Sequence, residues 1–309
     1  MPSPSESLPE PEAIAWLNGA EVPFRELAVP AWDLGVVAGA SVSEMARTYL
    51  HRPFRVQQHL NRLLRSCDEL GFPCYWSAAE LQSAAEDLVD ANCALVEAGD
   101  DLGIVWFVTA GANPTYLGPG KDAGGTVGIH TFRLPLELWQ KAAQDGLRLR
   151  TTIEQRASDA SLPVHLKTRN RLHWWIADRE AARQERGARA LLTDSNGFIT
   201  ETSTAAIFVN FGGAIHTPTS SVLKSMSCRL VEEAAADLGV AFHRSDLSCD
   251  QLLTADEIFA GSTASGLLPV DAVNGIRFRN RVLLERFQHW YFEKTGIHNR
   301  EQILASPAL

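Results

Sequence analysis

Three two-residue turn signals stand between apolar, strand-like runs: Asn18-Gly19, Asn196-Gly197 and Gly212-Gly213. Each pair of residues accepts positive φ at both positions, which suits the twist of two antiparallel strands joined by a tight turn. Parallel neighbours instead need a crossover of roughly a dozen residues or more. The turns therefore commit both halves of the chain to mostly antiparallel sheets rather than a doubly wound parallel one.

Helical periodicity fills the intervals. Val56, Leu60, Leu63, Leu64, Cys67 and Leu70 repeat at helical spacing and stop at Gly71. Ser77-Ala78-Ala79-Glu80 is a capping box that opens a helix to about Glu97. Leu102 to Thr109 and Thr126 to Phe132 read as strands, and glycine-rich 111–125 reads as the loop between them. A short helix around Pro135 to Gln144 leads to a strand at Leu147 to Ile153. Leu172, Trp175, Ile176 and Arg179 mark the expected inner face of the next helix, which stops at Gly187. Cys228 to Gly239 is amphipathic, Ser248 opens a second capping box, and Glu257 to Ala260 is a short strand. The closing helix, Asn280 to Lys294, has Val282, Leu283, Phe287 and Trp290 as its expected buried stripe.

The chain has 309 residues, too many for one ordinary core. The expected division is a disordered lead-in over 1–12, a small α+β domain over 13–133, a connection over 134–145, and a larger domain over 146–309. The fold class is thus α/β (α+β) with two domains. The net charge of −9 and the lack of a basic tract argue against nucleic acid as a partner. No apolar run is long enough to span a membrane. Cys67, Cys74, Cys93, Cys228 and Cys249 are scattered, with no CxxC metal pattern and no disulfide framework. That usage points to a reducing, cytoplasmic compartment and to no metal site.

The chemistry centres on Lys167, in the run from Leu166 to Leu172 between an extended segment and a helix. Glu201 follows 34 residues later, leaving the second hairpin turn. An amine and a carboxylate in fixed order are what pyridoxal 5'-phosphate needs, the amine to hold it as a Schiff base and the acid to keep its pyridine nitrogen protonated. Further pieces follow in order: Asp33-Leu34-Gly35 with Gly39, Val42 and Glu44; His59-Leu60-Asn61-Arg62-Leu63; Gly197 to Glu201; Leu223 to Ser227; and Gly261-Ser262-Thr263-Ala264. Together these resemble the fold-type IV, class IV aminotransferase family: branched-chain and D-amino acid aminotransferases and aminodeoxychorismate lyases.

The resemblance implies that Arg62 grips the cofactor phosphate, and a forked guanidinium suits that role. On its helix Arg62 shares a face with His59 and Ser66, off the Leu60/Leu64 stripe; an exposed arginine is the plainer alternative. Met226 and Ser227 lie where a helix begins, a ready anion site, though Ser227 also reads as a simple helix cap. The resemblance has Ser262 and Thr263 complete the phosphate cup and Glu201 meet the pyridine nitrogen. It places Ala38, Ser43, Leu172 and Ala264 around the substrate. Ala38 and Ser43 stand where many relatives carry an aromatic residue, so a wider pocket is expected. The residue that clamps the substrate carboxylate is not identified, Arg133, Arg148 and His165 being candidates by type. The implied reaction moves an amino group between an amino acid or amine and a keto acid, in a homodimer with the cofactor between the domains. A lyase on the same scaffold, or a non-catalytic protein that keeps the fold, are the alternatives.

Overall fold

The computed structural model describes residues 13–117, 124–158 and 161–296. The expected lead-in over 1–12 and Lys121 in the glycine-rich loop lie outside them. The chain divides into two compact units: the described residues of Met1–Leu134 with Lys167–Asn170, and those of Pro135–Leu166 with Arg171–Leu309.

The first unit opens with the Asn18-Gly19 hairpin, β1 (Ile14–Leu17) and β2 (Ala20–Pro23). Asn18 and Gly19 take φ of 48° and 97°, the positive values the turn requires. The one-turn helix α1 (Leu34–Val37) precedes β3 (Ser41–Tyr49) and β4 (Arg52–Phe54). Two long helices follow, α2 (Val56–Leu70) and α3 (Ala78–Cys93). Then come β5 (Leu102–Thr109), the one-turn α4 (Pro114–Leu117) and β6 (Val127–Arg133). The sheet runs β2-β1-β6-β5-β3-β4, antiparallel throughout. Alternation sends Val42, Ala46, Ile104, Trp106, Val108 and Ile129 to one face, where α2 and α3 cover them. Asn92 of α3 bonds both the N–H and the C=O of Ile14, at 3.0 and 2.8 Å, pinning that helix to the sheet. Asp33 caps α1 through the Gly35 N–H and accepts from the Thr109 and Thr126 hydroxyls at 2.7 and 2.9 Å. The Asp33-Leu34-Gly35 motif is therefore an anchor of this unit.

The second unit contains α5 (Leu136–Asp145), β7 (Leu147–Thr151), α6 (Leu172–Gln184), β8 (Arg189–Thr193) and β9 (Ile199–Thr202). After them come β10 (Ala206–Phe211), β11 (Ala214–Thr217), α7 (Met226–Leu238), β12 (Phe242–Arg244) and α8 (Cys249–Leu252). The chain closes with β13 (Glu257–Ser262), β14 (Gly266–Val273), β15 (Ile276–Arg277) and α9 (Val282–Thr295). The sheet order is β12-β11-β10-β13-β14-β7-β8-β9, with β15 on β14. Its hairpins are antiparallel as their turns require; β7–β8, β7–β14 and β11–β12 pair in parallel. Among the described residues, no helix is long and apolar enough to cross a membrane.

Local boundaries depart from the sequence reading where packing overrides periodicity. The helix opened by the Ser77 capping box ends at Cys93, not Glu97, and α6 ends at Gln184 instead of reaching Gly187. The inward face of α6 is Trp174, Ala177 and Ala181, packed with Ala190 and Leu192 of β8. Leu172, Trp175 and Ile176, expected inside, are exposed. Both faces carry apolar residues, so periodicity alone did not choose between them. Likewise Val282 is exposed on α9, while Leu284 and Tyr291 join the buried stripe. Truncation of Trp174 to alanine should therefore lower the unfolding free energy by about 3–5 kcal/mol, as for other buried aromatic residues. Urea titration of both proteins reads the difference.

Candidate active site

In the first unit the site is built around one carboxylate. On β3 the inward positions are Val42, Glu44, Ala46 and Thr48, so alternation drives Glu44 into the layer under α2. There it is 1% exposed and meets two side chains of that helix. His59 Nδ1 lies 2.8 Å from Glu44 Oε2. Arg62 donates from Nε to Oε1 and from Nη2 to Oε2, the latter at 2.8 Å. Burial alone would raise the Glu44 carboxyl, but the Arg62 charge and the hydrogen bonds from His59 and Arg62 outweigh it and hold it at about 2. Burial pushes the His59 imidazole below its ordinary value despite Glu44. His59 is therefore neutral at pH 7, and because ionised Glu44 only accepts, its Nδ1 carries the proton. Arg62 is thus buried with His59 and Ser66, not exposed.

Lys167 joins this unit through its backbone. The Ser43 N–H donates to the Lys167 carbonyl at 3.0 Å, and the Arg169 N–H to the Ser41 carbonyl at 2.9 Å. Thr168 pairs with Val42 in an antiparallel bridge. An isolated bridge with two flanking hydrogen bonds thereby continues the edge of β3, and the lysine groups with the first unit although sequence position puts it in the second half. Its charge bears on His59, within the Glu44 cluster. Of the pocket candidates here, Ser43 is on β3 beside Lys167, and Ala38 is the exposed C-cap of α1.

In the second unit Glu201 is buried on β9. Arg156 Nε lies 3.3 Å from Glu201 Oε1, and the Leu223 N–H donates to the same oxygen at 3.2 Å. Arg156 is itself held by its Nη1, 3.1 Å from His173 Nε2, and rests over the Trp174 ring. Burial and the charges of Arg156 and Arg171 lower His173 to about 4, so it accepts from Arg156 as a neutral ring. Buried Arg156 Nε makes no hydrogen bond among the described residues despite its ion pair, and neither does buried Ser203 Oγ. A cavity of about 300 Å³ opens beside Glu201, lined also by Leu223, Ser225, Cys228 and Arg244.

The cap of α7 is Ser225, whose Oγ accepts from the Cys228 N–H at 3.0 Å. Met226 and Ser227 are therefore the first two helical residues, and Ser227 is not the cap. Their N–H groups belong to the unsatisfied first turn, at the positive end of the helix dipole. Gly261 keeps the end of β13 close to this point: a Cβ there would come within 3.3 Å of Ser227 Cβ and 2.9 Å of the Phe208 ring. Ser262 and Thr263 follow directly, and the Ser262 hydroxyl closes its turn by accepting from the Ser265 N–H at 3.0 Å. Ala264 lies in the same turn, half-buried, whereas Leu172 is an exposed residue at the start of α6. Sequence reading gave no role to Glu44, which it quoted only within a motif, and did not name Arg156. Glu44 had a usable signal, an acid at an inward position of an alternating strand; Arg156 had none, because only the fold brings it to Glu201.

Comparisons with known proteins bear on the family. The family model for class IV amino-transferases matches residues 41–273. The D-alanine aminotransferase of Bacillus licheniformis is 28% identical over 260 residues, covering 84% of this chain and 87% of that protein. The branched-chain-amino-acid aminotransferase of Escherichia coli K12 is 28% identical over 268 residues, covering 85% of each chain. The crystal structure of an Escherichia coli branched-chain amino acid aminotransferase superposes with a TM-score of 0.83 at 26% identity, over 94% of this chain and 97% of that one. These likenesses favour neither a lyase nor a non-catalytic protein. With the family model spanning most of the chain, the protein belongs to the class IV aminotransferases, a family of pyridoxal-phosphate-dependent enzymes with the fold-type IV architecture.

Proposed function

We propose that Lys167 anchors pyridoxal 5'-phosphate covalently, with Arg62, Glu201, Met226, Ser227, Ser262 and Thr263 as its other contacts. The transfer runs from an amino acid or amine to a keto acid. The observation that carries this reading is Glu201, a buried carboxylate held beside Arg156. The donor set fits the group: an amine on a fixed backbone, a buried anion for a ring nitrogen, and a helix start with neighbouring hydroxyls for a phosphate. The orphaned polar atoms of Arg156 and Ser203 around Glu201 also suit a polar guest. When bound, the cofactor acidifies the substrate C–H beside the nitrogen by accepting its electron pair. Lys167 Nζ, once released, takes up and returns that proton, which requires the neutral amine. Arg156 gives Glu201 a cationic partner 3.3 Å away, and Glu201 would be the residue that meets the pyridine nitrogen. Glu44 fixes the Arg62 fork, making it a positioned pair of donors rather than a mobile cation.

Support for a homodimer is the exposed apolar side of α6, where Leu172, Trp175 and Ile176 are 64%, 57% and 42% exposed at helical spacing. The two compact units serve as the small and large domains. All five cysteines are free thiols, which supports a reducing, cytoplasmic setting.

Borohydride reduction of the cofactor-loaded enzyme followed by peptide mapping should place the label on Lys167, and Lys167→Ala should abolish turnover. A label on Lys141, Lys224 or Lys294 overturns the assignment. Glu201→Gln should retain the cofactor but lose on the order of 100-fold or more in kcat, because an amide cannot keep the ring nitrogen protonated. Near-normal turnover in that variant would assign the task to another acid. Light scattering should give the mass of a dimer at micromolar concentration, with Trp175→Asp shifting it toward monomer. A fully active wild-type monomer at that concentration rules the dimer out as a requirement.

A further inference from the structure

The Lys167–Asn170 segment carries a second charged group that the proposed cofactor contacts do not use. Thr168 faces the same way as Val42, toward α2 and α3. Arg169, the next residue, lies on the opposite face, against the Phe107 ring, and Lys167 is two residues away, about 7 Å along an extended chain. On that face of the first unit stand Ser43, Phe107 and His130, since Ser43 is paired with Phe107 across β3 and β5. The Arg169 guanidinium rests 5.6 Å from the centre of the Phe107 ring. Among the described residues it has no acidic partner, and it is accessible to solvent. The arginines singled out by type in the sequence are committed elsewhere: Arg133 Nε to Asp100 at 2.6 Å, and Arg148 Nη1 to Glu185 at 3.2 Å. Close to Arg169, the Nδ1 atom of His130 is buried with no hydrogen-bond partner among the described residues. Burial first, and the Arg169 charge in addition, keep that imidazole below its ordinary value. It is a neutral ring at pH 7, able to give or accept a hydrogen bond without adding charge.

We infer that Arg169, supported by the Phe107 ring and assisted by His130, receives the carboxylate of the substrate. In an amino or keto acid that group is one bond from the reacting carbon. Residues two apart in an extended segment are near enough for two long side chains to reach neighbouring atoms of one small substrate. A guanidinium fork meets both carboxylate oxygens at once, and the aromatic ring beneath it limits the orientations it must give up on binding. An uncancelled positive charge also separates substrates by kind: it favours amino acids over amines of the same shape, whichever face of the carbon is attacked.

This inference rests on Lys167 as the reacting amine. The cofactor-loaded enzyme is mixed rapidly with D- or L-alanine, or with the matching alaninamide, and the loss of the cofactor's long-wavelength absorbance is timed. The wild type should react faster with the acid than with the amide. Arg169→Gln should lower the second-order rate constant for alanine on the order of 100-fold and leave alaninamide nearly unchanged. Arg169→Lys should keep part of the preference, because charge survives while the fork is lost. The inference is overturned if Arg169→Gln keeps the wild-type ratio of acid to amide, or if the wild type shows no preference. It is equally overturned if acid and amide fall together in both variants. Borohydride labelling of Arg169→Gln separates the two assignments: a label on another lysine refutes Lys167, whatever the ratio shows.

Discussion

A single buried carboxylate, Glu44, organises the first unit's share of the site. It cancels Arg62, orients neutral His59 and ties β3 to α2. Such a cluster is stable only when complete. Taking two charges out of water carries a desolvation cost that their mutual attraction offsets only with good geometry, and removal of one partner from a buried pair typically costs about 3–5 kcal/mol. The second unit repeats the device: Glu201 meets Arg156, which leans on His173 and Trp174. In both units the glutamate and the arginine are carried by different segments, so the functional groups are positioned by tertiary packing and not by one local motif.

Much of the frame was legible from residue patterns. The three turn pairs each join antiparallel strands, although Asn196-Gly197 sits in a longer turn in which only Gly197 takes positive φ, and both capping boxes formed at Ser77 and Ser248. What escaped has identifiable causes. The strand β14 is wholly buried, yet its sequence holds Pro269 and Asp271, residues that ordinarily argue against a central strand. Its neighbours tolerate them because Asp271 pairs with Arg277 at 3.1 Å and Pro269 stands opposite Phe259. The parallel pairs of β7 and β12 depend on crossovers through helices, and no short-range signal announces such partners. On α6 a tryptophan pair offered two equivalent inner faces, and β8 selected the one with small residues beside Trp174.

The site shows the same division. Arg62, Lys167, Glu201, Ser227 and Thr263 were proposed from residue type and from resemblance to a family. Glu44 lay within a quoted motif, but its role appears only when β3 is placed against α2. Arg156 is visible only in three dimensions, because it reaches a distant glutamate; Arg169 stands beside Lys167 in sequence, but only the fold shows that it has no acidic partner among the described residues.

The bridge at 167–169 has a further topological meaning. The edge of β3 has two tenants: β4 covers Arg47 to Tyr49, and the lysine segment covers Ser41 to Ser43. The second tenant comes from far along the chain, and the residues before and after it belong to the other unit. No single cut of the polypeptide therefore yields a first unit with its full edge. A ribosome that has released only the first 134 residues has made an unfinished sheet, with backbone donors and acceptors open to any passing strand. The segment that carries Lys167 is also the one whose arrival closes that edge.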